Sequence, residues 1–238
     1  MKKETKLELL NNEKNGWIGI GVFIFYIFYL NFNTLPLLLI GIDISNLSLT
    51  TRIIYSLGIE FLFMYALFLI YKKVYIFDFK KFFTNFKQNF KEYMPYWAGA
   101  FGTMIVANFI IISLFPNSVA TNQEGIDAVF ASAPIYMIIS AVLVAPIVEE
   151  TIFRLGIHNI FKNNKLFILI SGFSFGLLHV VGTFENLIDL IYIIPYSIPG
   201  LFFAYTYTKS KNIFVPIWLH FFHNGFTMLL QCILLLLV

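Results

Sequence analysis

Apolar runs of about twenty residues, separated by short polar loops, constrain this 238-residue chain more than any other feature. A run of that length crosses the hydrocarbon of a bilayer as one helix, and in lipid the helix satisfies its own backbone polar groups. Charged residues make up 12% of the chain and hydrophobic ones 59%, whereas soluble domains carry about 25% charge. The fold class is therefore all-α, a single polytopic membrane domain over residues 1–238. The runs predict seven spans, near residues 17–40, 53–71, 96–115, 135–161, 165–181, 187–208 and 213–238. The first and last are long enough to be tilted, broken or partly interfacial, and an eighth helix follows if Gly225 splits the last run. The run after the polar stretch 1–16 is too long for a signal peptide and reads as a retained span.

Lysines orient these spans. Lys2, Lys3, Lys6 and Lys14 precede the first, and Lys72, Lys73, Lys80, Lys81, Lys87 and Lys91 follow the second. Lys162 and Lys165 join spans four and five, and Lys209 and Lys211 join six and seven. The alternate loops hold only Arg52, and the loops 117–131 and 182–186 carry no basic residue. The positive-inside rule then places the N-terminus in the cytoplasm and the chain in a cell membrane. Abundant Phe, Ile, Lys and Asn suit an AT-rich bacterial genome. Between spans two and three, Phe79, Phe82, Phe83, Phe86 and Phe90 share a helical face, which predicts an interfacial amphipathic helix on the anionic leaflet. The single Cys232 excludes an internal disulfide and a cysteine metal cluster, and no basic patch suits nucleic acid.

Three spans carry polar side chains that hydrocarbon should exclude. The fourth holds Glu149, Glu150 and Arg154, the fifth His179, and the last His220, His223 and Asn224. One ionised carboxylate at mid-span costs about 2.5–3.5 kcal/mol. Glu150 and Arg154 are four apart and predict an ion pair on one helical face, as His220 and Asn224 predict a shared projection. Glu149 is turned by about 100° from Glu150 and is free to face another helix. At a rise of about 1.5 Å per residue, Glu149, His179 and Asn224 lie about 20 Å from the nearest cytoplasmic lysine and His220 about 14 Å. The four groups thus share a layer near the membrane centre. A buried carboxylate can serve as a general base, imidazoles can hold water or a metal, and an amide can donate to an oxyanion. The set suits activation of water for attack on a carbonyl. It would act either through a divalent metal such as Zn2+ on His179, His220 and Glu149, or directly through the Glu–His set.

The motifs resemble those of the CAAX protease and bacteriocin-processing (CPBP, or Abi) family of intramembrane proteases. That pattern is Glu-Glu-x-x-x-Arg, Phe-x-x-x-His and His-x-x-x-Asn, met here by Glu149, Glu150 and Arg154, by Phe175 and His179, and by His220 and Asn224. The resemblance covers residues 135–229, the family protease core, with 1–134 as N-terminal spans and the interfacial helix. It implies a conical intramembrane cavity in which Glu149 is the general base. His179, His220 and Asn224 position water, metal or oxyanion, and Glu150 with Arg154 supports them. The implied substrate is a membrane-embedded or lipid-modified peptide, as in CAAX processing, bacteriocin or signal-peptide maturation, or self-immunity. Two other classes remain open, a non-enzymatic immunity or scaffold protein and an ion-coupled carrier, since intramembrane Glu and His also build relays.

Of the remaining polar residues, His223 reads as structural and His158 as interfacial, near the cytoplasmic edge, while Glu60 either faces the cavity or, the favoured reading, meets a Tyr or a backbone amide. Ser171, Gly172 and Gly176 suit close helix contact, and Pro195, Pro199 and Gly200 predict a kink in span six.

Overall fold

The computed structural model describes residues 13–116, 118, 120–183 and 186–237, with side chains from residue 16 to 233 of these. The lysines at positions 2, 3 and 6, used above to orient the chain, lie outside the described residues. Every described element is helical. In chain order we label α1 (Glu13–Phe32), α2 (Leu49–Thr84), α3 (Phe86–Leu114), α4 (Thr121–Ser132), α5 (Pro134–Ile160), α6 (Asn164–Val181), α7 (Leu187–Ser210) and α8 (Phe214–Leu237). Five of these, α2, α3, α5, α6 and α7, are long and apolar enough to cross a membrane. The apolar part of α1, Gly16–Phe32, is shorter. Helix α8 runs 24 residues unbroken through Gly225, but His220, His223, Asn224 and Gln231 dilute its apolar character.

One open alternative is decided and two expectations change. The first run does not continue as one helix to residue 40: α1 ends at Phe32 and a short helix, Leu35–Leu39, follows. Pro36 sits in the first turn of that short helix, where its missing N–H costs nothing, and it disfavours a continuous helix through the residues before it. The loop expected over 117–131 contains α4, which buries Phe130 against Val142 and Met228. The interfacial helix expected over 79–90 is not a separate element. Helix α2 bends at Tyr71 (φ −107°, ψ 19°) and continues to Thr84, and α3 starts at Phe86. Of its phenylalanine row only Phe82 is buried; Phe79, Phe83, Phe86 and Phe90 stay exposed, with Phe79 edge-on to Phe214 at 5.3 Å and Phe86 and Phe90 at 5.8 and 5.6 Å from Trp218.

Asp78, fully buried near the end of α2, explains how that extension is held. Its Oδ2 accepts from the Ile213 N–H at 2.8 Å, and Asn212 Nδ2 donates to its carbonyl at 2.9 Å. A carboxylate thereby satisfies an N–H at the start of α8 that has no partner within the helix. The staple fixes where α8 begins, and with it the height of His220 and Asn224.

Helix α5 is central. Ile152, Phe153 and Leu155 are buried in the main core with Val22 and Tyr26 of α1, Phe63 and Leu67 of α2, and Phe167 and Phe175 of α6. The tightest neighbours are α6 and α7. A Cβ on Gly172 would lie 2.9 Å from Leu201 Cα, and one on Gly176 would lie 2.7 Å from Ser197 N and 2.8 Å from Ile193 O. Without a strong hydrophobic force between helices in lipid, small residues supply the close packing. Gly176→Ala would meet backbone, which cannot swing away, and should destabilise the protein by about 1–3 kcal/mol. A thermal melt of detergent-solubilised protein measures this loss; an unchanged midpoint would mean that α6 and α7 are not so close.

Pro195 and Pro199 both lie in α7, whose first six residues, Leu187–Tyr192, form a tight 3-10 turn before the α-helix proper. Glu60 meets the expected kind of partner: its Oε1 accepts from Tyr136 Oη at 2.9 Å and from Ser140 Oγ at 3.0 Å.

Candidate active site

Glu149 and Glu150 occupy a short α-helical stretch, Ala145–Glu150, between two π-helical segments of α5, Ile139–Val144 and Thr151–Gly156. Each wide turn shifts the helical register, a distortion common at functional sites. Pro146 contributes to the first. The Ala145 N–H is spent on the Ser140 carbonyl, and Pro146 has no N–H to offer the Ala141 carbonyl one residue on. Asn224 Nδ2 of α8 donates to that Ala141 oxygen at 2.7 Å.

The two glutamates face different ways. Glu150 is fully buried and receives Arg154 Nε at 2.7 Å on Oε2 and Arg154 Nη2 at 3.2 Å on Oε1. A third Arg154 nitrogen, Nη1, donates to Ser171 Oγ of α6, and Ser171 passes its own proton to the Phe153 carbonyl at 2.8 Å. The guanidinium also lies 5.5 Å from the Phe175 ring centre. Such a pair is tolerable away from water because each guanidinium nitrogen has an acceptor and both carboxylate oxygens are paired.

Glu150 has a further partner that the spacing does not reveal. His220 Nδ1 lies 3.0 Å from Glu150 Oε1, and a carboxylate only accepts, so this nitrogen carries the proton. The same logic fixes His179, whose Nδ1 is 2.8 Å from the Phe175 carbonyl. Whenever either ring is neutral, its lone pair is therefore on Nε2. Both Nε2 atoms converge on one oxygen, Glu149 Oε2, at 4.0 Å from His179 and 3.9 Å from His220. That oxygen is buried and has no hydrogen-bond partner. Two acceptor nitrogens and an acceptor oxygen thus face one another just beyond contact with no donor among them, and water is the simplest group that would supply one.

Aromatic rings hold the imidazoles. Phe175 lies 4.5 Å from the His179 ring, and Tyr196 of α7 stacks on the same imidazole at 5.2 Å and 21°. Phe203 stacks on His220 at 5.1 Å and 25°. His223 points elsewhere, edge-on to Phe101 and Phe203. His158 packs against Phe167 and Tyr207 at the other end of α5.

Glu149, His179 and His220 are thus brought together, with Glu150 and Arg154 behind His220. Asn224 lies one turn along α8 and is engaged with the Ala141 carbonyl. Sequence reasoning missed Ser171 as an acceptor for arginine, the Glu150–His220 bond, and Tyr196 and Phe203. The first two involve a serine and a salt-bridged glutamate already assigned to other roles. No spacing signal marks the aromatic rings in so phenylalanine-rich a chain.

The residues offer the right donor chemistry for a divalent metal, two imidazole lone pairs and a carboxylate. Their spacing does not fit one: ligands at about 2.1 Å around a tetrahedral ion lie about 3.4 Å apart, and here the separations are 3.9 and 4.0 Å. Among the described residues no group of three His, Cys, Asp or Glu side chains is arranged to hold a metal ion.

A family model described as type II CAAX prenyl endopeptidase Rce1-like matches residues 131–226. "Putative membrane peptidase YdiL" of Bacillus subtilis is 35% identical over 113 residues, 46% of this chain and 43% of that protein. An uncharacterised protein of Mycoplasma capricolum is 32% identical over 157 residues, 59% of this chain and 44% of the relative. The UPF0177 protein YajF of Lactococcus lactis is 42% identical over 59 residues, 24% of this chain and 29% of the relative. The chain thus covers less than half the length of each of these relatives. No solved structure matches. Across residues 131–226, the stretch that bears all three motifs, the chain is similar to the type II CAAX prenyl endopeptidase family, as those motifs lead one to expect.

Proposed function

We propose that this protein is an intramembrane endopeptidase that hydrolyses a peptide bond of a membrane-embedded or lipid-modified peptide. The observation that carries the reading is the unpartnered Glu149 Oε2 facing two imidazole lone pairs. In this reading a water that enters among the three groups gives one proton to Glu149 and directs its other O–H to the Nε2 of one imidazole, His179 or His220. Its oxygen attacks the carbonyl carbon, and the proton taken by Glu149 passes to the departing amine as the C–N bond breaks. One Asn224 N–H serves Ala141; the second is assigned to the oxyanion. Glu150 keeps His220 in the tautomer that leaves Nε2 free, and Arg154 holds Glu150 in place through two hydrogen bonds. The wide spacing routes no step through a metal, which makes the reading glutamate-dependent.

The test is a peptide panel presented to protein reconstituted in vesicles and read by mass spectrometry. It includes farnesylated peptides ending Cys-aliphatic-aliphatic-X, their unprenylated forms, and apolar leader-like peptides. Cleavage of one class, lost in Glu149→Gln and insensitive to a chelator, is the expected result. Cleavage restored only by added Zn2+ would replace the glutamate-dependent reading with a metal-dependent one. Cleavage that survives Glu149→Gln would overturn the assignment of the site.

A further inference from the structure

Hydrolysis inside a bilayer needs a supply of water, and the site is walled by apolar helices on most sides. A small gap opens directly beside His179. Its lining includes Thr121 and Asn122 of α4, Thr183 just past α6, and Asp189 and Tyr196 of α7. It lies at the end of α6 remote from Lys165, on the face opposite the lysine-bearing loops. Thr183 on its rim is exposed, whereas the His179 side chain at its floor is 25% exposed. The gap holds about 10 Å³, on the order of a single water. A peptide does not fit. Most of its accessible lining is apolar, but Thr121, Asn122, Thr183 and Asp189 border it, whereas the lipid-facing surface of α6 exposes Leu166, Leu169, Phe173 and Leu177.

Helix α4 forms one wall, and it is tied down at both ends. Asn122 Nδ2 donates to Tyr196 Oη at 3.3 Å, and Thr121 Oγ1 lies 3.5 Å from Asp189 Oδ2. Further along, Asp127 Oδ1 accepts from Gln231 Nε2 of α8 at 2.7 Å, and Phe130 is buried. Tyr196 is therefore in two places at once. Its ring stacks on His179, and its hydroxyl is held by the helix that closes the gap.

We infer that this gap, too small for a peptide, is a water port and that the Asn122–Tyr196 contact gates it. The port admits water one molecule at a time to His179, and α4 sets its width. The inference rests on the hydrolase reading for its purpose but not for its existence, because water access to His179 can be measured without any substrate.

Hydroxyl-radical footprinting in H2(18)O, on full-length protein in vesicles, uses water itself as the probe. Oxidation of His179 and Tyr196 is read by peptide mass spectrometry, with His158 at the opposite end of the bundle as internal reference. Thr183→Trp and, independently, Thr121→Phe should each plug the gap and lower labelling of His179 at least five-fold, with His158 unchanged. Asn122→Ala, which releases the tether and leaves the Tyr196 ring in place, should raise it two-fold or more. Unchanged His179 labelling in both plugged variants would overturn the port. If labelling responds as expected while no peptide is cleaved, the port stands and the protease reading falls. If Glu149-dependent cleavage is found but labelling ignores the plugs, the protease reading stands and the port falls.

Discussion

Glu149→Gln is expected to lower kcat/KM for the cleaved peptide by about 10³-fold while the protein folds as before. A positioned general base contributes about 10²–10⁴-fold, and three orders of magnitude correspond to about 4 kcal/mol in the barrier. Glutamine is nearly isosteric, so the packing around residue 149 survives, but an amide cannot take the proton from water. The change also removes a charge from the buried face of α5, which costs energy in the bilayer. Thermal stability should therefore hold or rise as activity falls. Circular dichroism and a melt in the same detergent separate the two effects. Loss of activity together with loss of fold would assign Glu149 a structural role instead.

Arg154→Met should have the largest effect on stability, about 3–5 kcal/mol, because it strands the Glu150 carboxylate without its countercharge in a site closed to water. The partner change decides whether Glu150 also works for the site. Arg154→Met combined with Glu150→Leu replaces the pair by apolar side chains and should recover most of the lost stability. It also removes the acceptor that fixes His220 Nδ1–H, so activity should not return. Arg154→Met with Glu150→Gln keeps a carbonyl oxygen for His220 and should recover part of both. Equal activity in the two double variants would mean that Glu150 acts on the helix alone and not on His220.

Much of the candidate site was legible as sequence because hydrocarbon makes polar residues conspicuous. Glu149, His179 and His220 stood out by burial cost, and a rise of about 1.5 Å per residue placed them at one depth. Intrahelical spacing gave the Glu150–Arg154 pair without reference to any fold. The same arithmetic put Asn224 in that layer, where its Nδ2 meets the Ala141 carbonyl. That carbonyl is free because of a π-turn and Pro146, a local departure from α geometry that periodicity alone does not register.

Helix identity was similarly legible, and helix boundaries were not. The amphipathic row of phenylalanines over residues 79–90 keeps an exposed face, but hydropathy does not register that the stretch is shared between the end of α2 and the start of α3. Helix α4 was hidden for the opposite reason: 12 residues with several polar ones fall below the hydropathy of a span, and only burial of Phe130 gives them a place.

By itself the sequence determined that the chain is helical, that lipid is its solvent, and that three helices carry polar groups too costly to be idle. These follow from local quantities: run length, composition and spacing along one helix. Only the tertiary structure decided which nitrogen of each imidazole is free, that both free nitrogens meet at Glu149 Oε2, and that Tyr196 joins His179 to α4. Those facts depend on contacts between residues as much as 74 positions apart, and such contacts are set by packing, not by pattern.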